Sequence, residues 1–151
     1  MRLKKGNNTM KLNFKLSENG KLPTKADAGS VGYDLYAAEA AVIPARKWKL
    51  VSTGLSWQPE SMNVEMQIRP RSGLAYNHGI TVLNAPGSID ASYRGNLGVL
   101  LMNNSDKDYE IAIGDRIAQA VFRKTDDFEL RVVDSLDETE RGSGGFGSSG
   151  K

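Results

Sequence analysis

Along most of this chain apolar and polar residues alternate with period two, the pattern of a strand that buries one face and wets the other. Met10, Leu12, Phe14 and Leu16 alternate with polar neighbours, and so do Val51, Thr53, Leu55 and Trp57. The pattern returns at Val64, Met66 and Ile68, at Tyr109, Ile111 and Ile113, and at Phe128, Leu130 and Val132. Two apolar runs, Ile80 to Leu83 and Leu97 to Met102, read as strands buried on both faces. Turn-forming clusters separate these runs: Glu18-Asn19-Gly20, Gln58-Pro59-Glu60, Asn77-His78-Gly79, Asn103-Asn104-Ser105 and Gly114-Asp115. No long stretch keeps a helical period, and Ser72 to Tyr76 suffices for a single turn. Many short strands with almost no helix predict an all-β fold, a β-sandwich or jelly roll.

A chain of 151 residues supports one domain, with a core that buries about two-thirds of the unfolded surface. Trp48 and Trp57 are expected inside the sandwich, and Met62, Met66 and Met102 as core filler. Net charge is only +2, which gives no global signature of nucleic-acid or membrane binding. The signs are uneven: Arg2, Lys4, Lys5, Lys11 and Lys15 make the start basic, while Asp134, Asp137, Glu138 and Glu140 make residues 134–140 acidic. There is no cysteine, which excludes disulfides and thiolate metal sites and fits a reducing compartment. No apolar run reaches the length of a membrane span, and a cytoplasmic protein is expected. The expected organisation is a basic extension at 1–9, a folded domain at 10–140 and a Gly/Ser-rich tail at 141–151.

Five segments carry polar groups that strand logic does not require. In Ala28-Gly29-Ser30-Val31-Gly32-Tyr33-Asp34-Leu35, Asp34 lies among apolar neighbours, as a buried acceptor or a functional carboxylate would. In Arg69-Pro70-Arg71-Ser72-Gly73-Leu74-Ala75, Ser72 suits a helix N-cap. Free amides beside the Arg71 guanidinium would then attract an anion, although an ordinary cap with a surface arginine fits equally. The richest segment runs from Asn84 through Pro86-Gly87-Ser88-Ile89-Asp90 to Tyr93-Arg94-Gly95. There a hairpin backbone could meet a flat polar ring, Asp90 could hold a water and accept its proton, and Tyr93 could present a ring face. In the plainer reading Asp90 caps a turn and Tyr93 packs on a strand. Gln119 interrupts the apolar stretch from Ile117 to Phe122, which costs free energy unless its amide finds partners. The tail Arg141 to Gly150 is eight parts in ten Gly or Ser, with one arginine for a phosphate and Phe146 to cover a base. It reads as a lid over a nucleotide, or as a plain disordered or RNA-binding end. His78, the single histidine, stands in a turn away from all five, which disfavours Ser–His chemistry and His-rich metal sites.

Taken in order, A-G-S-V-G-Y-D-L-Y-A-A, P-R-S-G-L-A, N-A-P-G-S-I-D-A-S-Y-R-G-N, G-D-R-I-A-Q and R-G-S-G-G-F-G-S-S-G resemble the motifs of the trimeric deoxyuridine triphosphatase (dUTPase) family across residues 28–150. The resemblance implies a β jelly roll of the β-clip type, assembled as a homotrimer with active sites shared between subunits. It implies that dUTP and water become dUMP and pyrophosphate, with Mg²⁺ chelated by the triphosphate. Asp90 resembles the general base that orients water on the α-phosphorus. Tyr93 resembles the residue that packs on deoxyribose. Asn84, with the backbone near Gly87 and Ile89, matches the uracil-pairing position. Arg71, Ser72, Gly73 and Gln119 resemble the triphosphate-binding set, and Asp34 the carboxylate that reaches Mg²⁺ through a water. Arg141 would contact the terminal phosphate and Phe146 would stack over uracil.

One position departs from the family pattern. Ser92 stands where a second acidic residue is common, and it is expected to fill a supporting hydrogen-bonding role. A dCTP deaminase of similar fold would need a glutamate near the pyrimidine, but Asn96 follows Gly95, and Glu65 and Glu110 fall on strand patterns elsewhere. A dUTP-responsive binding module, whose tail orders on ligand, is the alternative outside enzymology. Stable nucleic-acid or membrane partners are not expected.

Overall fold

The computed structural model describes residues 9–147, so most of the expected basic extension and the end of the tail lie outside the described residues. Eleven strands and one short helix form antiparallel sheets, an all-β jelly roll. The strands are β1 (Leu12–Leu16), β2 (Tyr33–Tyr36), β3 (Ala41–Ile43), β4 (Trp48–Ser52), β5 (Leu55–Pro59) and β6 (Val64–Arg69), followed by helix α1 (Ser72–His78). They continue with β7 (Ile80–Val82), β8 (Gly87–Ile89), β9 (Gly98–Asn103), β10 (Tyr109–Ile111) and β11 (Arg116–Lys124). The largest sheet has the order β2-β11-β6-β8, a second has β4-β9-β7, and β1-β5 and β10-β3 are pairs.

Period-two alternation places the core as expected. In β6, Val64, Met66 and Ile68 are buried while Glu65, Gln67 and Arg69 are not. Leu55 and Trp57 of β5 and Leu35 of β2 are fully buried and join the same cluster. Phe122 of β11 forms a seam between sheets, its ring 5.4 Å from Tyr33, 6.2 Å from Trp57 and 6.4 Å from Phe14. Offset and edge-on geometries of this kind are worth about 0.5–1.5 kcal/mol each beyond the area they bury.

Several expectations need correction. Leu97 to Met102 is not buried on both faces: Val99 and Leu101 point inward, whereas Leu100 and Met102 on the other face are only partly covered. The paired strand β4 continues that outer face with Trp48 and Leu50, 59% and 61% exposed, so Trp48 is not a core residue. Leu83 lies just past the end of β7 and is exposed, so the Ile80 run is likewise buried on one side only. Phe128, Leu130 and Val132 form no strand, because no partner strand lies beside them among the described residues, and all three are exposed. Regular structure therefore ends at Lys124, well short of residue 140. Met62 and Ile113 are exposed turn residues, while Met66 is core.

Helix α1 runs two residues beyond the expected turn and ends at Gly79, whose left-handed φ of 67° a side chain would strain. Its N-cap is Arg71 and not Ser72, and no side chain caps it. Ser72 is the first helical residue, because the extended conformation after Pro70 falls on Arg71.

One buried polar residue ties the sheets together. Asn103, with no exposed surface, donates to the carbonyls of Ile43 (3.0 Å) and Lys107 (2.7 Å) and accepts from the Ser105 amide (2.9 Å) and hydroxyl (2.8 Å). Replacing it by Leu keeps the bulk and strips all four bonds. The expected loss is about 2–4 kcal/mol in urea unfolding; a loss below about 0.5 kcal/mol would show that the network does not hold the fold.

Candidate active site

Two groups of the expected residues come together, in two separate cavities. The first cavity, about 320 Å³, lies where β2, β11 and the turn between β6 and α1 meet. Its lining includes Asp34, Arg71, Ser72, Gly73, Arg116 and Gln119. Strand register produces this grouping. Gln119 of β11 faces Asp34 on one side and Arg69 on the other, so the two flanking strands deliver Asp34 and the Pro70–Gly73 turn to the same place.

Asp34, Arg71, Arg116 and Gln119 all have identified partners in this cavity. Arg71 donates through Nε to Asp34 Oδ1 at 3.1 Å and through Nη1 to the Arg116 carbonyl at 3.2 Å. Arg116 donates through Nη1 to Asp34 Oδ2 at 3.4 Å. Two guanidinium groups thus share one carboxylate, and the surplus positive charge and remaining N–H donors favour an anion. The Gln119 amide donates to the Pro70 carbonyl at 2.8 Å, which supplies the partner its position demanded. Gly32 leaves room for it, since a Cβ there would meet Gln119 Oε1 at 1.9 Å. At Gly73 an added Cβ would meet nothing within 4 Å, so that backbone faces open space. The first amides of α1 have no partner within the helix and add donors beside Arg71. Below the helix, burial pushes the Tyr109 phenol above its ordinary pKa; Asp115 adds to the effect and Arg71 opposes it.

Arg116 is the residue that sequence reasoning missed. An arginine at the start of an amphipathic strand reads as solvated charge, and only the register against β2 reveals that it meets Asp34.

The second cavity, about 280 Å³, contains Ile89, Asp90 and Tyr93 together with Leu50, Ser88 and Asn96. Asp90 follows the last residue of β8 and is exposed; the Tyr93 amide closes the turn onto the Asp90 carbonyl at 3.1 Å. The Tyr93 ring lies against Gly95, where a Cβ would come within 2.9 Å of three of its atoms. Its hydroxyl donates to the Asn96 carbonyl at 3.1 Å, and the Asn96 amide donates to the Ser52 hydroxyl at 2.7 Å. Asn84 and Gly87 are neighbours at the entry to β8, with the Asn84 amide 3.4 Å from where a Gly87 Cβ would sit. Among the described residues Ser92 makes no side-chain hydrogen bond, so the supporting role expected of it has no counterpart in a single chain.

Arg141 and Phe146 join neither cavity. Arg141 donates to the Gly144 carbonyl at 2.9 Å within a local turn, and the Phe146 ring is fully exposed. Among the described residues no group of three His, Cys, Asp or Glu side chains could hold a metal, and no helix is long and apolar enough to cross a membrane.

The chain is similar to known proteins in sequence and in fold. The dUTPase family model matches residues 18–150. The deoxyuridine 5'-triphosphate nucleotidohydrolase of Wolinella succinogenes is 51% identical over 138 residues, 91% of this chain and 92% of that protein. The enzyme of the same name from Nautilia profundicola is 48% identical over 94% of this chain and its own whole length. Among solved structures, the Staphylococcus bacteriophage 80alpha dUTPase with dUpNHpp superposes with a TM-score of 0.85 at 28% identity, over 93% of this chain and 99% of that one. With a family model spanning most of its length and relatives at about half identity, this chain belongs to the dUTPase family of nucleotide hydrolases.

Proposed function

We propose that this protein hydrolyses dUTP to dUMP and pyrophosphate, at sites shared between the subunits of a homotrimer. The observation that carries most weight is the cationic cavity in which Asp34, Arg71, Ser72, Gly73, Arg116 and Gln119 meet. It offers guanidinium and backbone donors to a triphosphate, and phosphoryl transfer requires charge neutralisation and positioning more than covalent chemistry. Asp90 takes a proton from water as the water oxygen attacks the α-phosphorus, and the bond to the bridging oxygen breaks to release pyrophosphate. Tyr93 packs on deoxyribose and crowds out a 2′-hydroxyl, while Asn84 and the backbone near Gly87 and Ile89 read uracil. Arg141 and Phe146 close over the terminal phosphate and the base.

Distance supports a shared site. Ile89 pairs with Met66 near the start of β6, whereas Arg71 follows its far end. About six residues of strand at roughly 3.3 Å each put Asp90 on the order of 20 Å from Arg71 within one chain. Both can act on one triphosphate only if different subunits supply them. The partly covered outer face of β4 and β9, with Trp48, Leu50, Leu100 and Met102, offers an apolar surface for another copy. Residues 125–140 have no regular structure among the described residues and, fully extended, could span about 50 Å, enough to carry Arg141 and Phe146 to a neighbour's site.

Mg²⁺ suits the donor set. The phosphate cavity offers one carboxylate, Asp34, which fits a cation that keeps several waters and is held mainly by substrate oxygens. When bound, the cation neutralises phosphate charge, and Asp34 would hold one of its waters. A cytoplasmic location, with a role in limiting uracil in DNA and supplying dUMP, completes this reading.

A pyrophosphate-release assay with Mg²⁺ on dUTP, dCTP, dTTP and UTP should register rapid turnover of dUTP alone. Equal turnover of UTP or dTTP would contradict the proposed uracil and deoxyribose contacts. Asp90→Asn should lower kcat by about 10²–10⁴-fold while KM for dUTP changes little. Arg116→Gln should instead raise KM about tenfold, the loss of one charge-assisted contact. An unchanged KM would remove Arg116 from the phosphate site.

A further inference from the structure

The turn that carries Asp90 is tied to the core by a residue that faces away from the substrate side. Arg94 Nη1 donates to the Ala91 carbonyl at 2.6 Å, with longer contacts to the carbonyls of Tyr93 at 3.3 Å and Trp57 at 3.4 Å. Trp57 is 1% exposed on β5, so one end of this clamp is anchored in the immobile core. The other end holds the carbonyl of Ala91, the residue that follows Asp90, and Ala91 itself is buried. Among the described residues Arg94 has no carboxylate partner, and its Nη1 is committed to carbonyl oxygens. The side chain lines a cavity with Asn13, Lys15 and Gln58, distinct from the cavity of Asp90 and Tyr93.

We propose that Arg94 is a positioning residue for the hydrolytic step, fixing the Asp90 carboxylate by clamping the Asp90–Tyr93 turn onto β5. The proposal rests on the hydrolase reading above. Its physical basis is that the turn has a single backbone hydrogen bond of its own, from the Tyr93 amide to the Asp90 carbonyl. One nitrogen, Nη1, reaches carbonyls of both segments; a neutral amide lacks the charge that strengthens these bonds, and lysine keeps the charge without the planar, pre-organised donor geometry. Tyr93 has separate support from Gly95 and the Asn96 carbonyl. Loss of the clamp therefore falls mainly on Asp90, and a displacement of about 1 Å at a catalytic group costs up to 10²-fold in rate.

The test compares Arg94→Lys and Arg94→Gln with the parent trimer by steady-state kinetics on dUTP, after thermal unfolding has measured the folded fraction of each. The expected result is a kcat lowered about tenfold or more in Arg94→Gln with KM within about threefold, and an intermediate kcat in Arg94→Lys. The proposal is overturned if kcat per folded molecule stays within twofold of the parent in both variants, or if KM rises while kcat holds. Should Arg94→Gln fail to fold, the split between kcat and KM in Arg94→Lys decides. A parent that does not turn over dUTP would refute the hydrolase reading instead, and the parent is assayed first.

Discussion

The carboxylate of Asp34, held between Arg71 and Arg116, is the interaction on which the site depends. It joins three segments far apart in sequence: β2, the turn before α1 and the start of β11. Asp34 and Arg71 are mostly buried, with side-chain exposures of 16% and 23%, so this pair is screened less than an exposed one such as Arg46–Asp106. Two cations against one anion fix the geometry of the arginines and leave net positive charge facing the cavity. Strand β11 makes this possible, because pairing with both β2 and β6 puts Gln119 between the two flanking segments.

The same sheet sets a limit on what one chain can do. Strand β6 delivers the Pro70–Gly73 turn at one end and receives β8, which leads into Asp90, toward the other. A rigid strand cannot bring its ends together, and the proposed division of the site between subunits rests on that strand length. The outer face of β4 and β9 and the arm after Lys124 remain without partners in a single chain, consistent with a fold completed by other copies.

Much of this was legible in the sequence. Alternation at Val64, Met66 and Ile68 locates β6 and its buried face, and Gln119 in an apolar stretch demands a partner, which is the Pro70 carbonyl. What escaped follows from physics that sequence pattern does not carry. Apolar residues at Trp48, Leu100 and Phe128 state that a surface will be buried, but not whether the same chain or another buries it. Arg116 and Arg94 carry charges that read as solvated; their partners are a carboxylate and backbone carbonyls brought near only by tertiary pairing. The N-cap falls on Arg71 and not on Ser72 because a cap is defined by backbone angles and not by side-chain preference.

Subunit mixing tests the central claim most directly. Chains carrying Asp90→Asn are co-expressed in equal amounts with chains carrying Arg71→Ala, each nearly inactive alone. If the two residues serve one substrate from different subunits, the co-expressed population as a whole regains roughly one quarter of the parent's active sites, the share that draws both intact residues. If they act within a single chain, every site retains a lesion, and the mixture would be no more active than its two parents.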